Sequence, residues 1–141
     1  MQLILLLPIY IFSVIITLIV ALQTWRHRST PGVRDLTFLM LGAAFWALCD
    51  GMALAATSLE AKILFAKFSH IGIQTVPVFF LLFALNFTDN KVLHAERWRR
   101  WLWVIPIFNL LAVFTNDLHH LFWAEVTLVQ APYGIEDHYA H

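Results

Sequence analysis

Charge and cysteine are both scarce in this chain: 13% of its 141 residues are charged and one is cysteine. A soluble domain carries about a quarter charged residues to face water, so this scarcity excludes an ordinary soluble surface. A lone Cys49 inside an apolar run excludes an intrachain disulfide framework and a cysteine-based zinc site. The chain has no Gly-rich phosphate loop, no HExxH signature and no G-x-S-x-G elbow, and it shows no internal repeat symmetry. These absences argue against an enzyme and against a transporter. No catalytic residue is assigned. The formal net charge is zero, and no nucleic-acid partner is expected.

What is present is apolar length. Hydrophobic residues make up 60% of the chain, with a mean hydropathy of +0.73, and they arrive in long blocks. Four helices of roughly 20 residues need about 80 positions, which leaves short loops and one tail but no room for a second folded domain. The expected fold is all-α: a single polytopic transmembrane helical bundle over 1–141, with spans at about 3–25, 36–57, 63–88 and 99–115 and a tail at 116–141. The first block is read as a retained helix, since no positive charge precedes it and it is too long for a signal h-region. Arg26, His27 and Arg28 end it, and Ser29-Thr30-Pro31-Gly32 makes a turn. Asp35 is a candidate cap for the second helix. Pro77 inside the third removes one hydrogen bond and is expected to bend it. Lys91 to Arg100 reads as a short surface helix, with Trp98, Trp101 and Trp103 as an interfacial belt and Arg99 and Arg100 snorkelling. In the tail, Glu125 to Val129 has strand character, and Phe122 and Trp123 are expected at the membrane interface.

Seven of the nine basic residues fall in the first and third loops; only Lys62 and Lys67 fall on the other side. The positive-inside rule then puts the N-terminus, the turn at Glu60 and the tail outside. The chain is expected to be multi-pass in the plasma (cytoplasmic) membrane. Its partners are the lipid bilayer and other transmembrane helices: its own missing helices, a homodimer or a larger membrane complex.

Polar residues within the apolar blocks carry the remaining information. Asp50 sits inside the second span, where an ionised carboxylate costs several kcal/mol unless paired. It reads either as a structural hydrogen-bonding residue or as a proton or ligand site. His70 shares a helix face with Gln74, and a hairpin turning near Glu60 brings Asp50 and His70 to equal depth. The two are expected to form a buried polar pair, with separate backbone bonding as the alternative. Ala43, Ala47, Gly51 and Ala55 recur every fourth residue as a small stripe suited to close helix packing. Asn86 and Asn109 are read as satisfying buried helix contacts. The tail holds four of the seven histidines (His119, His120, His138 and His141) beside Asp117, Glu125, Glu136 and Asp137. Their types suit zinc or copper but their spacing matches no standard site, so neither a metal nor a cofactor is assigned.

The order of residues resembles a known family, the seven-helix membrane sensor region at the N-terminus of prokaryotic histidine kinases. The matching pieces are Phe45-Trp46, Lys67-Phe68 with Gly72 and Pro77, Leu85-Asn86-Phe87-Thr88, and Trp101 with Ile105-Pro106. The most specific is Thr115-Asn116-Asp117-Leu118-His119-His120-Leu121-Phe122-Trp123. The resemblance covers the first four helices of that region; no phosphoacceptor histidine box or ATP-binding segment is present. It implies a non-catalytic signal-input domain, with Asn116, His119, His120 and Trp123 as signal or ligand candidates and any effector kinase outside this chain. The alternative is an accessory or structural transmembrane subunit of a larger complex, docking through its small stripe, with contact to a cofactor or pigment through His70 as one variant.

Overall fold

The computed structural model describes residues 2–88, 96–120, 123, 125–131 and 134–140, with residues 2–5, 96–98 and the strands described by backbone alone. Three long helices come first: α1 (Gln2–Arg26), α2 (Val33–Ala55) and α3 (Leu59–Phe87). Each contains a stretch long and apolar enough to cross a membrane: Leu6–Arg26, Val33–Ala55 and Leu59–Phe87. The membrane part is an all-α bundle in which α2 packs between α1 and α3. The consecutive helices are antiparallel, so the start of α1 and the α2–α3 turn share one end, here called the tail end. The α1–α2 turn and the end of α3 share the other, the basic end.

Turn chemistry explains where the helices stop. Gly32 sits in the left-handed region at φ 81°, and a Cβ there would lie 3.3 Å from Phe83 and from the Phe87 nitrogen. Glycine is therefore required twice, by conformation and by the close seat of this turn on α3. Helix α2 begins at Val33, and Asp35 stands in its first turn rather than at its cap. At the tail end, Lys62 donates from Nζ to the Ala53 carbonyl at 3.2 Å. A cation there answers one of the carbonyls that the end of α2 leaves unpaired. Ser58 caps α3, its hydroxyl accepting from the Ala61 amide at 3.3 Å.

The α2–α3 seam is a backbone contact. A Cβ on Gly72 would come within 2.6 Å of Trp46 Cβ and 2.8 Å of the Gly42 carbonyl oxygen. Between membrane helices, where lipid is as apolar as leucine, such close approach is a main source of attraction. The α1–α2 contact is tied at its basic end by Thr37, whose hydroxyl donates to that of Thr24 at 2.8 Å.

The expected fourth span, 99–115, arrives in two pieces: α4 (Glu96–Trp101) and α5 (Val104–Phe114), separated by a turn at Leu102 and Trp103. Eleven residues make α5 about 16 Å long, roughly half of a 30 Å hydrocarbon core. Pro106 in its first turn has no amide proton to donate, which costs nothing at a position where such protons are unpaired. Helix α5 lies against α3 through Phe114 on Phe68 (ring centroids 5.9 Å), Trp103 on Phe79 (5.4 Å) and the fully buried Val113. A short α6 (Asn116–His119) follows, and then an antiparallel hairpin of β1 (Glu125–Ala131) and β2 (Gly134–Ala140), registered from Glu125 with Ala140 to Ala131 with Gly134. The strand character of 125–129 is realised as β1. Phe122, His141 and the Trp98 side chain lie outside the described residues.

Replacing Gly72 with alanine should force α2 and α3 apart, at a cost of about 1–3 kcal/mol for overpacking. The expected result is a lower melting temperature in detergent than the parent chain. An unchanged melting temperature would mean that the seam tolerates a methyl group and is not in backbone contact.

Candidate functional site

The α2–α3 seam carries Asp50 to the level of Ser69 and His70. The Ser69 hydroxyl, the Trp46 indole and the His70 ring all lie within electrostatic range of Asp50. The Ser69 hydroxyl donates to the Ala66 carbonyl at 3.0 Å. The His70 Nδ1 lies 2.8 Å from that same carbonyl, so in the neutral ring Nδ1 carries the proton. Asp50, Ser69 and His70 open together onto a cavity of about 320 Å³, with Tyr10 of α1 and Trp123 of the tail completing its walls alongside small apolar side chains. The two residues expected to meet thus face one cavity.

The small stripe explains how Tyr10 reaches this cavity. Ala47, Gly51 and Ala55 line an apolar groove of about 260 Å³ against Leu7, Tyr10, Ile11 and Val14 of α1, and Ala43 is half-buried one turn earlier. A Cβ on Gly51 would sit 3.2 Å from Tyr10 Cβ. The stripe therefore faces α1, while Gly42, Trp46 and Gly72 form the contact with α3.

The tail forms the roof. Asn116 is 5% exposed and Trp123 8% exposed. The Asn116 amide donates from Nδ2 to the Trp123 carbonyl at 3.0 Å and accepts at Oδ1 from the Trp123 amide at 3.2 Å. A side-chain amide is the neutral group that offers a donor and an acceptor side by side, so asparagine can clasp both polar groups of one peptide residue. The clasp holds the Trp123 indole edge-on to His70, with ring centroids 5.5 Å apart at 77°. Next in sequence, Asp117 accepts from Lys67 Nζ at 2.7 Å and ties α6 to α3. Asp117 is exposed, and the ammonium beside it holds its carboxyl below the usual carboxylate range. The run Asn116-Asp117 through Trp123 is thus a fastening.

The two histidines in that run do local work. The His119 Nε2 lies 3.1 Å from the Thr115 hydroxyl, which itself donates to the Leu111 carbonyl at 2.6 Å. His120 ends α6 in the left-handed conformation, φ 49°, with its amide donating to the Asn116 carbonyl at 2.7 Å. Neither is among the walls of the cavity. Among the described residues, no group of three His, Cys, Asp or Glu side chains could hold a metal ion. His70 and Gln74, expected on one polar face, divide their work: Gln74 turns to α5, where its carbonyl oxygen lies 3.5 Å from Asn109 Nδ2.

A second polar centre lies at the basic end. Asp35, 4% exposed, accepts from the Asn86 amide, and an Arg99 nitrogen stands 3.9 Å away. Arg99 points inward to this carboxylate, where snorkelling to headgroups was expected. Tyr10, Ser69 and this three-helix cluster had no signal in sequence beyond the residue types themselves.

The family model described as the N-terminal 7TM region of histidine kinase matches residues 9–135. No curated protein and no solved structure matches the chain.

Replacing Asn116 with aspartate keeps the shape of the clasp but removes its donor and sets a carboxylate against the Trp123 carbonyl. Amide exchange at Trp123 should then accelerate about tenfold or more, as expected for an unsatisfied buried group. Unaltered exchange would contradict the clasp. The Lys67–Asp117 tie adds a pH signature. Because the folded carboxyl titrates below its unfolded value, the stabilisation is present above the ordinary carboxylate range and is lost as pH falls through the depressed value. Asp117→Asn should remove that acid-dependent loosening of the tail, read by the same exchange measured against pH. Persistence of the full acid transition in this variant would assign it elsewhere.

Proposed function

The chain belongs to the family of the N-terminal 7TM region of histidine kinase, and from that premise we propose that it is a non-catalytic signal-input domain of the plasma membrane. The observation that carries this reading is the Asn116 clasp, which sets a tail residue, Trp123, directly on an intramembrane residue, His70. A change at the roof is thereby a change in the packing of α3. Helix α3 runs without interruption from His70 to Asn86, about 24 Å, and at Asn86 it meets Asp35 of α2 and, through that carboxylate, Arg99 of α4. One continuous helix, with Pro77 in its interior, thus touches the roof at one end and a three-helix polar junction at the other. That is spatial continuity, and coupling along it is the hypothesis.

The basic loops supply the direction. With most lysines and arginines at the end opposite the tail, the roof faces outward and the Asp35 junction faces the cytoplasm. Asn116 and Trp123 act in reception as roof and latch, while His119 and His120 shape the turn between them. The exposed apolar faces of α1 (Ile9, Phe12, Ile19) and α5 (Ile105, Phe108) contact lipid and other transmembrane helices.

Two measurements test the reading. In a Cys49→Ala background, Ser58→Cys should react with an impermeant thiol reagent in intact cells and Glu96→Cys should not; the reverse pattern overturns the orientation. Joined to a histidine kinase core with a transcriptional reporter, Asn116→Ala should shift output severalfold, whereas Phe108→Leu on the lipid-facing side should leave it alone. Output indifferent to Asn116→Ala and Asp35→Asn alike would remove the input role.

A further inference from the structure

Helix α2 carries two carboxylates within its length, and their surroundings differ. Asp35 has a cation, Arg99, at 3.9 Å in addition to the Asn86 amide. Asp50 has the Ser69 hydroxyl, the Trp46 indole and the His70 ring within electrostatic range. Of the two lysines of that end, Lys67 donates to Asp117 at 2.7 Å and Lys62 to the Ala53 carbonyl at 3.2 Å. Besides Asp50, the titratable groups on the cavity wall among the described residues are His70 and Tyr10. A carboxylate at such depth is stable as an ion when a cation stands beside it.

The cavity supplies the remaining features of a cation site. Its volume, about 320 Å³, is that of a small-molecule pocket. Its walls bring Tyr10 and Trp123 together around Asp50, and aromatic faces attract cations, most strongly where water is excluded. An anion would be repelled by Asp50. Among the described residues a metal ion would find two ligating side chains, Asp50 and His70, where stable sites use three or more.

We propose that this cavity binds a small alkylammonium group, with the Asp50 carboxylate as its counter-ion, Ser69 as a neighbouring hydroxyl on the wall, and Trp123 and Tyr10 as the aromatic walls. The group is either a free amine arriving from the tail side or the amine headgroup of a lipid. The proposal deepens the signal-input reading by naming the ligand class at the site beneath the roof. Its test needs no kinase, so binding and signalling can fail independently.

The experiment is calorimetric titration of the full chain in phosphatidylglycerol nanodiscs with propylammonium chloride, and with 1-propanol as the neutral control of equal size. Propylammonium should give saturable binding and 1-propanol none. Asp50→Asn should weaken binding about tenfold or more, as for loss of a charge-assisted hydrogen bond. Trp123→Leu leaves the Asn116 clasp on the backbone intact and should weaken binding roughly 3- to 30-fold through the lost ring. In phosphatidylethanolamine discs, weaker apparent binding identifies the lipid headgroup as a competing occupant, and unchanged binding identifies a free amine; both support the site. Absence of saturable binding in phosphatidylglycerol discs, equal binding of 1-propanol, or unchanged affinity in both variants overturns it.

Discussion

The close approach of α2 and α3 at Gly42, Trp46 and Gly72 sets the register on which the rest of the molecule depends. With a Cβ on Gly72 only 2.6 Å from Trp46, there is room for one alignment of the two backbones. That alignment sends Asp50 to Ser69 at the tail end and Asp35 to Asn86 at the basic end. It also seats the Gly32 turn on Phe83 and Phe87. A shift of one residue would rotate α2 by about 100° and strand both carboxylates away from their neighbours. In lipid there is no water to rescue a stranded polar group, so polar pairing and backbone contact enforce the same register.

Around this seam the bundle is asymmetric. The basic end is closed, with a carboxylate, an amide and a guanidinium joining α2, α3 and α4. The tail end carries a polar cavity at Asp50 and His70, with Trp123 on its wall and the backbone of that residue held by Asn116. Two fastenings among the described residues differ in character. The Asn116 clasp is buried and neutral, hence insensitive to salt; the Lys67–Asp117 pair reaches an exposed carboxylate and weakens with ionic strength.

Much of this was legible in the residues and some was not. The three long spans follow from apolar length alone, and Asp50 and His70 stood out because polar groups in lipid need a reason. The small stripe was visible as a pattern, but a pattern of small residues does not say which neighbour it meets; α1 took it, and the α2–α3 contact fell to Gly42 and Gly72. The apolar run 104–114 read as part of a full span because hydropathy carries no mark for the turn at Leu102 and Trp103. The run from Thr115 to Trp123 was recognisable as a motif while its logic was hidden. Its histidines drew attention by chemical versatility, whereas the asparagine, through two hydrogen bonds to a residue seven positions on, does the fastening. Asp35 with Asn86 pairs across 51 positions, a distance over which local pattern has no reach.

The central claim is that a polar cavity in the membrane part lies beneath a roof latched by Asn116. Ser69, on the cavity wall and 4% exposed, reports on both when replaced by cysteine in a Cys49→Ala background. The rate of its modification by a small, impermeant thiosulfonate should be measured with the tail latched and with Asn116→Ala. The account predicts slow modification from the tail side and an acceleration of about tenfold or more when the latch is removed, as for loss of two buried hydrogen bonds. Equal rates in the two backgrounds, or modification from the basic side alone, would contradict it.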